Sequence, residues 1–488
     1  MFHWMAVYPV TCALLLVVLF CLLQSWLLKK DFFSPVTVYC FSQCITLAIA
    51  YLQIDAFMSD FKPLTWMVWI LGLVAFCSGC YVAKLSAKAR SLPVRVVEAT
   101  PPQGYNWRLH LVISFFLFAL FLVGVVKIIA VAGNLIIFTE NPGRWMSKDV
   151  SYGYFPLLFS SGPLCVLMFG VAAFKKFNDV VWVRRVSFVM VFVVIVVNLL
   201  AYPNRTALFF NLGFLMILIN YLYKRISPLV ILIAMAVAIL SFVAISNLRN
   251  QYGTKGVENK ALEVLVVLPY KYVANNYWNM DYAINPPNDD EYHPHTYGLD
   301  FLSGFLEFFR IPGSFRNSFG WDDAFNESIQ KEYGFNTVNY LWDVYKDFHL
   351  LGVLFFPFLC GIGLTVLHLK LCRPFTPRQV MFHVFFIYFV GWWFFTSGYK
   401  QSIYCMWGVA IYLVTTICSR PAELADATVE TGDAREGVEP AGHSPAELAD
   451  ATADTGDARE GGAECLPADA PLEGEVECER DGKEDVAR

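Results

Sequence analysis

The sequence predicts an all-α, polytopic integral membrane protein with about eleven transmembrane helices, one large extracytoplasmic loop and a disordered acidic C-terminal tail. Three observations lead there. Of 488 residues, 57% are hydrophobic and 16% charged, and mean hydropathy is +0.50; this balance overrides the length prior of about three soluble domains. The apolar residues gather in runs near the length that crosses a hydrocarbon core of ~30 Å. Basic residues alternate between rich and poor loops.

The first run, at about 8–28, has no basic residue before it and Lys29-Lys30 after it. A secretory signal carries its charges first, around a shorter core, so this run reads as a retained helix. Further runs cover about 35–54, 65–83, 110–132, 155–174, 186–203, 206–223, 228–247, 350–369, 380–397 and 402–418. The basic-rich connections hold Lys29-Lys30, then Lys84, Lys88, Arg90, Arg95 and Arg108, then Lys175, Lys176, Arg184 and Arg185. Lys224-Arg225, Lys370, Arg373 and Arg378, and Arg420 continue the series. The intervening short loops carry far fewer: Lys62, Arg144 with Lys148, Arg205 and Lys400. The positive-inside rule puts the rich set in the cytoplasm, the N-terminus outside and the C-terminus inside. Four segments follow: 1–246 with eight helices, an outer loop over 247–348, three helices over 349–420, and a tail over 421–488. The expected location is a bacterial inner (plasma) membrane.

The cysteines argue for packing rather than chemistry. None falls between Cys165 and Cys360, so the outer loop carries no disulfide framework. Cys77-x-x-Cys80 lies inside an apolar run, where a free thiol behaves as a small hydrophobe.

Within the outer loop, Leu302, Phe305, Leu306 and Phe309 recur at helical spacing, which suits an interfacial or cavity-capping amphipathic helix. The stretch 275–295, NNYWNMDYAINPPNDDEYHPH, suits sugar contacts through its aromatic faces, amides and carboxylates, or is an ordinary wet loop. His293-Pro294-His295 lacks zinc-site spacing. No metal site and no cofactor is expected.

The tail repeats itself: 421–437 recurs with two changes at 445–461. Residues 421–488 hold 20 Asp and Glu against 5 Lys and Arg. Acidic and poor in aromatics, such a segment buries too little apolar surface to offset chain entropy. It should be disordered and dispensable for chemistry.

No nucleotide-binding loop, zinc helix motif or nucleophile elbow appears in a supporting context. The candidate chemistry lies at the outer face. Residues 335–363, FNTVNYLWDVYKDFHLLGVLFFPFLCGIG, run from a polar, aromatic half into an apolar helix. Asp343 and Asp347 are four apart, on one face if helical, so they are either solvated carboxylates under an aromatic belt or a polar site at a cavity mouth. Arg205 opens an apolar run, and its guanidinium at a helix N-terminus matches a phosphate. Arg249 and Arg144 also fall at outer ends; snorkelling to the interface is the alternative for all three.

Asn336-Thr337, followed by Tyr345-Lys346-Asp347-Phe348 and then Gly352, resembles the O-antigen polymerase family of bacterial oligosaccharide repeat-unit polymerases. In that family an Asn-Thr motif precedes a Tyr-x-Asp-Phe-Gly-x-x-Gly-like turn into a late membrane helix. His349 stands where the pattern more often has Gly, a residue that adopts φ > 0 far more readily. The resemblance spans about 110–400. It implies a metal-independent glycosyltransferase working at the outer face of the inner membrane, in O-antigen (lipopolysaccharide), capsule or exopolysaccharide synthesis. Such an enzyme transfers a growing glycan from undecaprenyl pyrophosphate onto the next lipid-linked repeat unit. The implied partners are undecaprenyl pyrophosphate-linked oligosaccharide, the lipid bilayer, a flippase and a chain-length regulator, with no nucleic acid. Arg144, Arg205 and Arg249 are then candidates for binding the pyrophosphate, and Asp343, Asp347 or His349 for the base. An O-antigen ligase-type transferase and a lipid-linked-sugar flippase or transporter remain open.

Overall fold

The structure, a computed structural model, describes residues 2–27, 31–54, 60–89, 104–139, 158–201, 205–250, 266–286, 295–299, 301–309, 337–371 and 375–419. The chain divides into two units, Met1–Val429 and Glu430–Arg488, and all described residues belong to the first. The expectations for the repeat tail and for Arg144 lie outside them.

Among the described residues the regular elements are all helices: α1 (Phe2–Leu27), α2 (Pro35–Ala50), α3 (Pro63–Ala89), α4 (Trp107–Ala132), α5 (Gly162–Ala173), α6 (Val181–Ala201) and α7 (Arg205–Leu222). There follow α8 (Pro228–Asn250), α9 (Leu268–Ile284), α10 (Ser303–Phe308), α11 (Tyr340–Leu371), α12 (Pro377–Trp392) and α13 (Ser402–Cys418). A helix forms over the greater part of each predicted apolar run. Six of them, in α1, α3, α4, α6, α8 and α11, are long and apolar enough to cross a membrane; α2, α5, most of α7, and α13 are apolar but shorter. The chain is a helical membrane protein.

Local chemistry sets several of the ends. The Asn106 side chain accepts the Leu109 N–H at 3.0 Å and starts α4, which stops at Gly133 in the left-handed region, φ 75°. Thr376 and Gln379 form a reciprocal capping box around Pro377, and α12 begins there.

The axis of the bundle is the crossing of α3 with α11. A Cβ on Gly361 would stand 2.3 Å from the Phe76 carbonyl oxygen, and one on Gly79 would stand 2.1 Å from that of Phe358. Backbone therefore meets backbone, the arrangement small residues permit between membrane helices. Cys80 is buried on this side of α3, while Cys77 Sγ lies 3.5 Å from Cys40 Sγ of α2. The two cysteines of the C-x-x-C thus face different neighbours. Beside the crossing, Tyr39 stacks on Phe76 with centroids 4.1 Å apart, and Tyr340 on Trp393 at 4.4 Å. The Tyr39 and Tyr340 hydroxyls share a hydrogen bond of 2.7 Å. α5 packs against α4, α6 and α7 and is buried from Gly162 to Ala172, as expected of a helix apolar on every side.

The largest departure from the sequence reading lies within 247–348. The first half of the Asn- and Tyr-rich stretch is not a wet loop: residues 275–284 belong to α9, which lies against α2 and α3 with Asn276, Tyr277, Asn279 and Asp281 buried, while 287–294 lie outside the described residues. Several of its polar atoms find partners there. Tyr277 Oη bonds Thr46 Oγ1 at 2.7 Å and donates to the Gln43 carbonyl at 3.2 Å. Asp281 accepts from the Lys62 backbone at 2.9 Å and from Thr65. Burial pushes the Tyr277 hydroxyl well above its ordinary pKa, so it stays protonated. The apolar spacing at 302–309 belongs to the short α10, where Leu302, Phe305 and Phe309 are exposed while Ser303 and Gly304 face inward. An outward apolar face suits the interfacial reading and not a cavity cap.

Candidate functional site

The polar end of α11 is broken from its apolar remainder. Phe348 (φ −136°, ψ 17°) and His349 (φ 55°, ψ −149°) leave helical geometry, so a short helix over 340–347 meets a long one from 350 at a kink. His349 takes a conformation that is almost the preserve of glycine and costs about 1–3 kcal/mol for other residues. Gly352 is required by the same kink, since a Cβ there would lie 2.5 Å from the Val344 carbonyl oxygen.

The short helix turns Asp343 and Asp347 inward. They are 2% and 1% exposed, so the reading of them as solvated carboxylates fails. Each takes its own set of donors, as a buried carboxylate must. Asp343 Oδ1 accepts from Lys400 Nζ at 2.6 Å, and Oδ2 from Ser397 Oγ, both residues from the segment after α12. Lys400 keeps more of its side chain in the open than Asp343, 28% against 3%. Asp347 Oδ1 accepts from Thr296 Oγ1 and, at 3.2 Å, from the Gly298 N–H. Its Oδ2 accepts from the Phe301 N–H at 2.7 Å. The backbone adds to this: Thr296 N–H donates to the Lys346 carbonyl and Tyr297 N–H to that of Asp347, each at 3.1 Å. Asp347 thereby clasps Thr296, Gly298 and Phe301 onto the kink.

His349 alone of the three carboxylate and imidazole candidates is exposed. Its Nε2 lies 2.9 Å from Tyr345 Oη, and its ring 5.2 Å from that of His295. His295 Nδ1 meets the Lys346 carbonyl at 3.1 Å. The Asn-Thr motif reaches the same end: the Thr337 carbonyl accepts from Asn279 of α9 at 2.6 Å, while Asn336 lies outside the described residues. Arg205 begins α7 and Arg249 lies in the last turn of α8, but their side chains fall outside what the structure describes. The structure thus unites Asp343, Asp347 and His349 at one end of α11.

Sequence reading missed Lys400, Ser397, Thr296 and Tyr345 as members of this cluster. Lys400 had one signal, as the single basic residue of a short connection between two apolar runs. Thr296 and Ser397 had none, because their roles come from folding segments distant in sequence onto α11.

Comparison with family models, with characterised proteins and with solved structures gave no match to this chain.

Replacing Asp347 by alanine is expected to free residues 296–301. Three donors lose their acceptor, at about 1–3 kcal/mol for each left buried and unpaired. Hydrogen exchange at the Gly298 and Phe301 amides should accelerate at least tenfold while exchange in α3 stays unchanged. Unaltered protection at both amides would show that the clasp does not depend on the carboxylate.

Proposed function

We propose that the chain is a membrane glycosyltransferase of the repeat-unit polymerase type. It transfers a glycan from undecaprenyl pyrophosphate to the next lipid-linked unit at the outer face of a bacterial inner membrane. The observation that carries this reading is the kink at 348–352. The family pattern asks for glycine-like backbone where His349 takes φ 55°, and for an absent Cβ where Gly352 meets Val344. Both demands arise from one turn, in the stretch that resembles the family.

In this reading the exposed His349, oriented by Tyr345, takes the proton of the acceptor hydroxyl as the glycosidic bond forms. Asp347 positions the 296–301 segment beside it. Lys400, its ammonium held by Asp343, joins Arg144, Arg205 and Arg249 as a cation for the departing pyrophosphate. The eleven-span arrangement, with the N-terminus outside and the C-terminus in the cytoplasm, completes the proposal.

Surface glycan from a strain lacking the chain tests it directly. A polymerase leaves single repeat units where long ladders stood. Intact ladders no longer joined to their final acceptor would instead mark a ligase, and loss of lipid-linked units from the outer leaflet a flippase. Orientation has its own test. Alkaline phosphatase fused after Asp300 should be active, and fused after Arg420 inactive. The reverse pattern would put the site on the wrong side of the membrane.

A further inference from the structure

A second titratable cluster lies at the other end of the bundle, where α1 passes to α2, α7 ends and α11 passes to α12. Its centre is the Tyr221 hydroxyl. Tyr221 Oη stands 2.6 Å from Asp31 Oδ2, 3.0 Å from His383 Nε2 and 3.4 Å from His368 Nδ1. Asp31 Oδ1 also accepts from Asn220 Nδ2 and from the Phe33 N–H, each at 3.0 Å. The two imidazole rings are 5.3 Å apart. Nothing in the outer-face chemistry uses these groups, and ionisable side chains within membrane helices are costly enough to mark function.

Hydrogen-bond bookkeeping settles the protons. A carboxylate and a carbonyl only accept, so Tyr221 gives its single proton to Asp31 at 2.6 Å, ahead of the Phe33 carbonyl at 3.3 Å. Its lone pair must then accept from His383, which makes Nε2 the protonated nitrogen of that ring. Nδ1 is left as a bare lone pair. That atom is buried in a residue of 0% exposure and has no hydrogen-bond partner among the described residues. Asp31 and His368 keep 13% and 10% of their side chains exposed, so the cluster reaches the surface at one edge.

We propose that this cluster is a proton-binding site: Nδ1 of His383 takes one proton from water at that edge, and Asp31 balances the imidazolium through Tyr221. An N–H bond forms at Nδ1, a hydronium O–H bond breaks, and no other covalent bond changes. The charged and titratable neighbours are His368 on α11, Lys84 on α3, Arg225 after α7, and Lys176, whose Nζ donates to the Tyr221 carbonyl at 3.0 Å; the Phe33 carbonyl also faces His383. Lys84, Lys176 and Arg225 oppose a second positive charge, which limits the site to one proton.

The test is nitrogen NMR of the full-length chain in lipid nanodiscs, with its 8 histidines labelled and His383 assigned through His383→Gln. At neutral pH its Nε2 should carry the proton and Nδ1 none; on acidification Nδ1 should become protonated. Asp31→Asn removes the balancing charge and should weaken proton binding at least tenfold. Tyr221→Phe keeps the ring and cuts the link, and should weaken it in the same direction. The wild-type tautomer reports even if a variant fails to fold. An Nδ1–H tautomer at neutral pH, a ring that stays neutral until the protein unfolds, or titration unchanged in both variants would overturn the proposal. No glycan enters this measurement, so its failure leaves the polymerase reading standing.

Discussion

Gly361→Ala should abolish the stable bundle, although it adds a single methyl group. That methyl would stand 2.3 Å from the Phe76 carbonyl oxygen and 3.1 Å from the Cys80 nitrogen. Both are backbone atoms of α3, so no side chain can swing aside to make room. The helices must separate, and with them goes the stacking of Tyr39 and Tyr340 on their partners beside the crossing. Overpacking of this kind costs about 1–3 kcal/mol where side chains can adjust, and more where they cannot. Gly363 supplies the control. It lies two residues further along α11, and a Cβ there meets nothing within 4 Å. Thermal unfolding in detergent, followed by the monodisperse fraction on gel filtration, should show Gly363→Ala close to wild type. Gly361→Ala should lose most of the folded protein. Equal behaviour of the two variants would mean that α3 and α11 do not meet backbone to backbone.

The crossing also shows where sequence reading succeeds and where it stops. Hydropathy marks the apolar runs because a membrane helix must be apolar along its length, whatever it packs against. It says nothing of which helices touch. Gly79 and Gly361 are two glycines among 31, and only their backbone contacts single them out. α9 was missed for a related reason. Its Asn, Tyr and Asp residues carry the composition of a wet loop, yet Tyr277 and Asp281 are buried with hydrogen-bond partners in Gln43, Thr46 and Thr65 on α2 and α3. Those partners lie more than 200 positions away in the chain, beyond any local pattern. The spacing of Asp343 and Asp347 placed them on one helix turn, but not their burial, which depends on Ser397, Lys400 and the 296–301 segment. His349 is the opposite case. The sequence showed it as a departure at a position where the resembling pattern has glycine, and the backbone there has the φ of 55° that glycine adopts readily.

His349→Gly separates the two roles assigned to that position. Glycine adopts the observed backbone without the cost of about 1–3 kcal/mol that histidine bears. It gives up the hydrogen bond to Tyr345, worth about 1 kcal/mol. Thermal stability should therefore be unchanged or higher, by up to about 2 kcal/mol. Activity should move the other way. A general base contributes about 10²- to 10⁴-fold, so a strain carrying His349→Gly should make single repeat units in place of a ladder. His349→Ala keeps the strained Cβ and loses the imidazole, and should be both inactive and less stable than His349→Gly. A protein at least as stable as wild type that no longer polymerises makes His349 a catalytic residue and not merely a feature of the turn. Full ladders from His349→Gly would remove the imidazole from the chemistry. The kink itself would then be what the site requires, and the base would have to be sought among groups other than His349 and the two enclosed carboxylates.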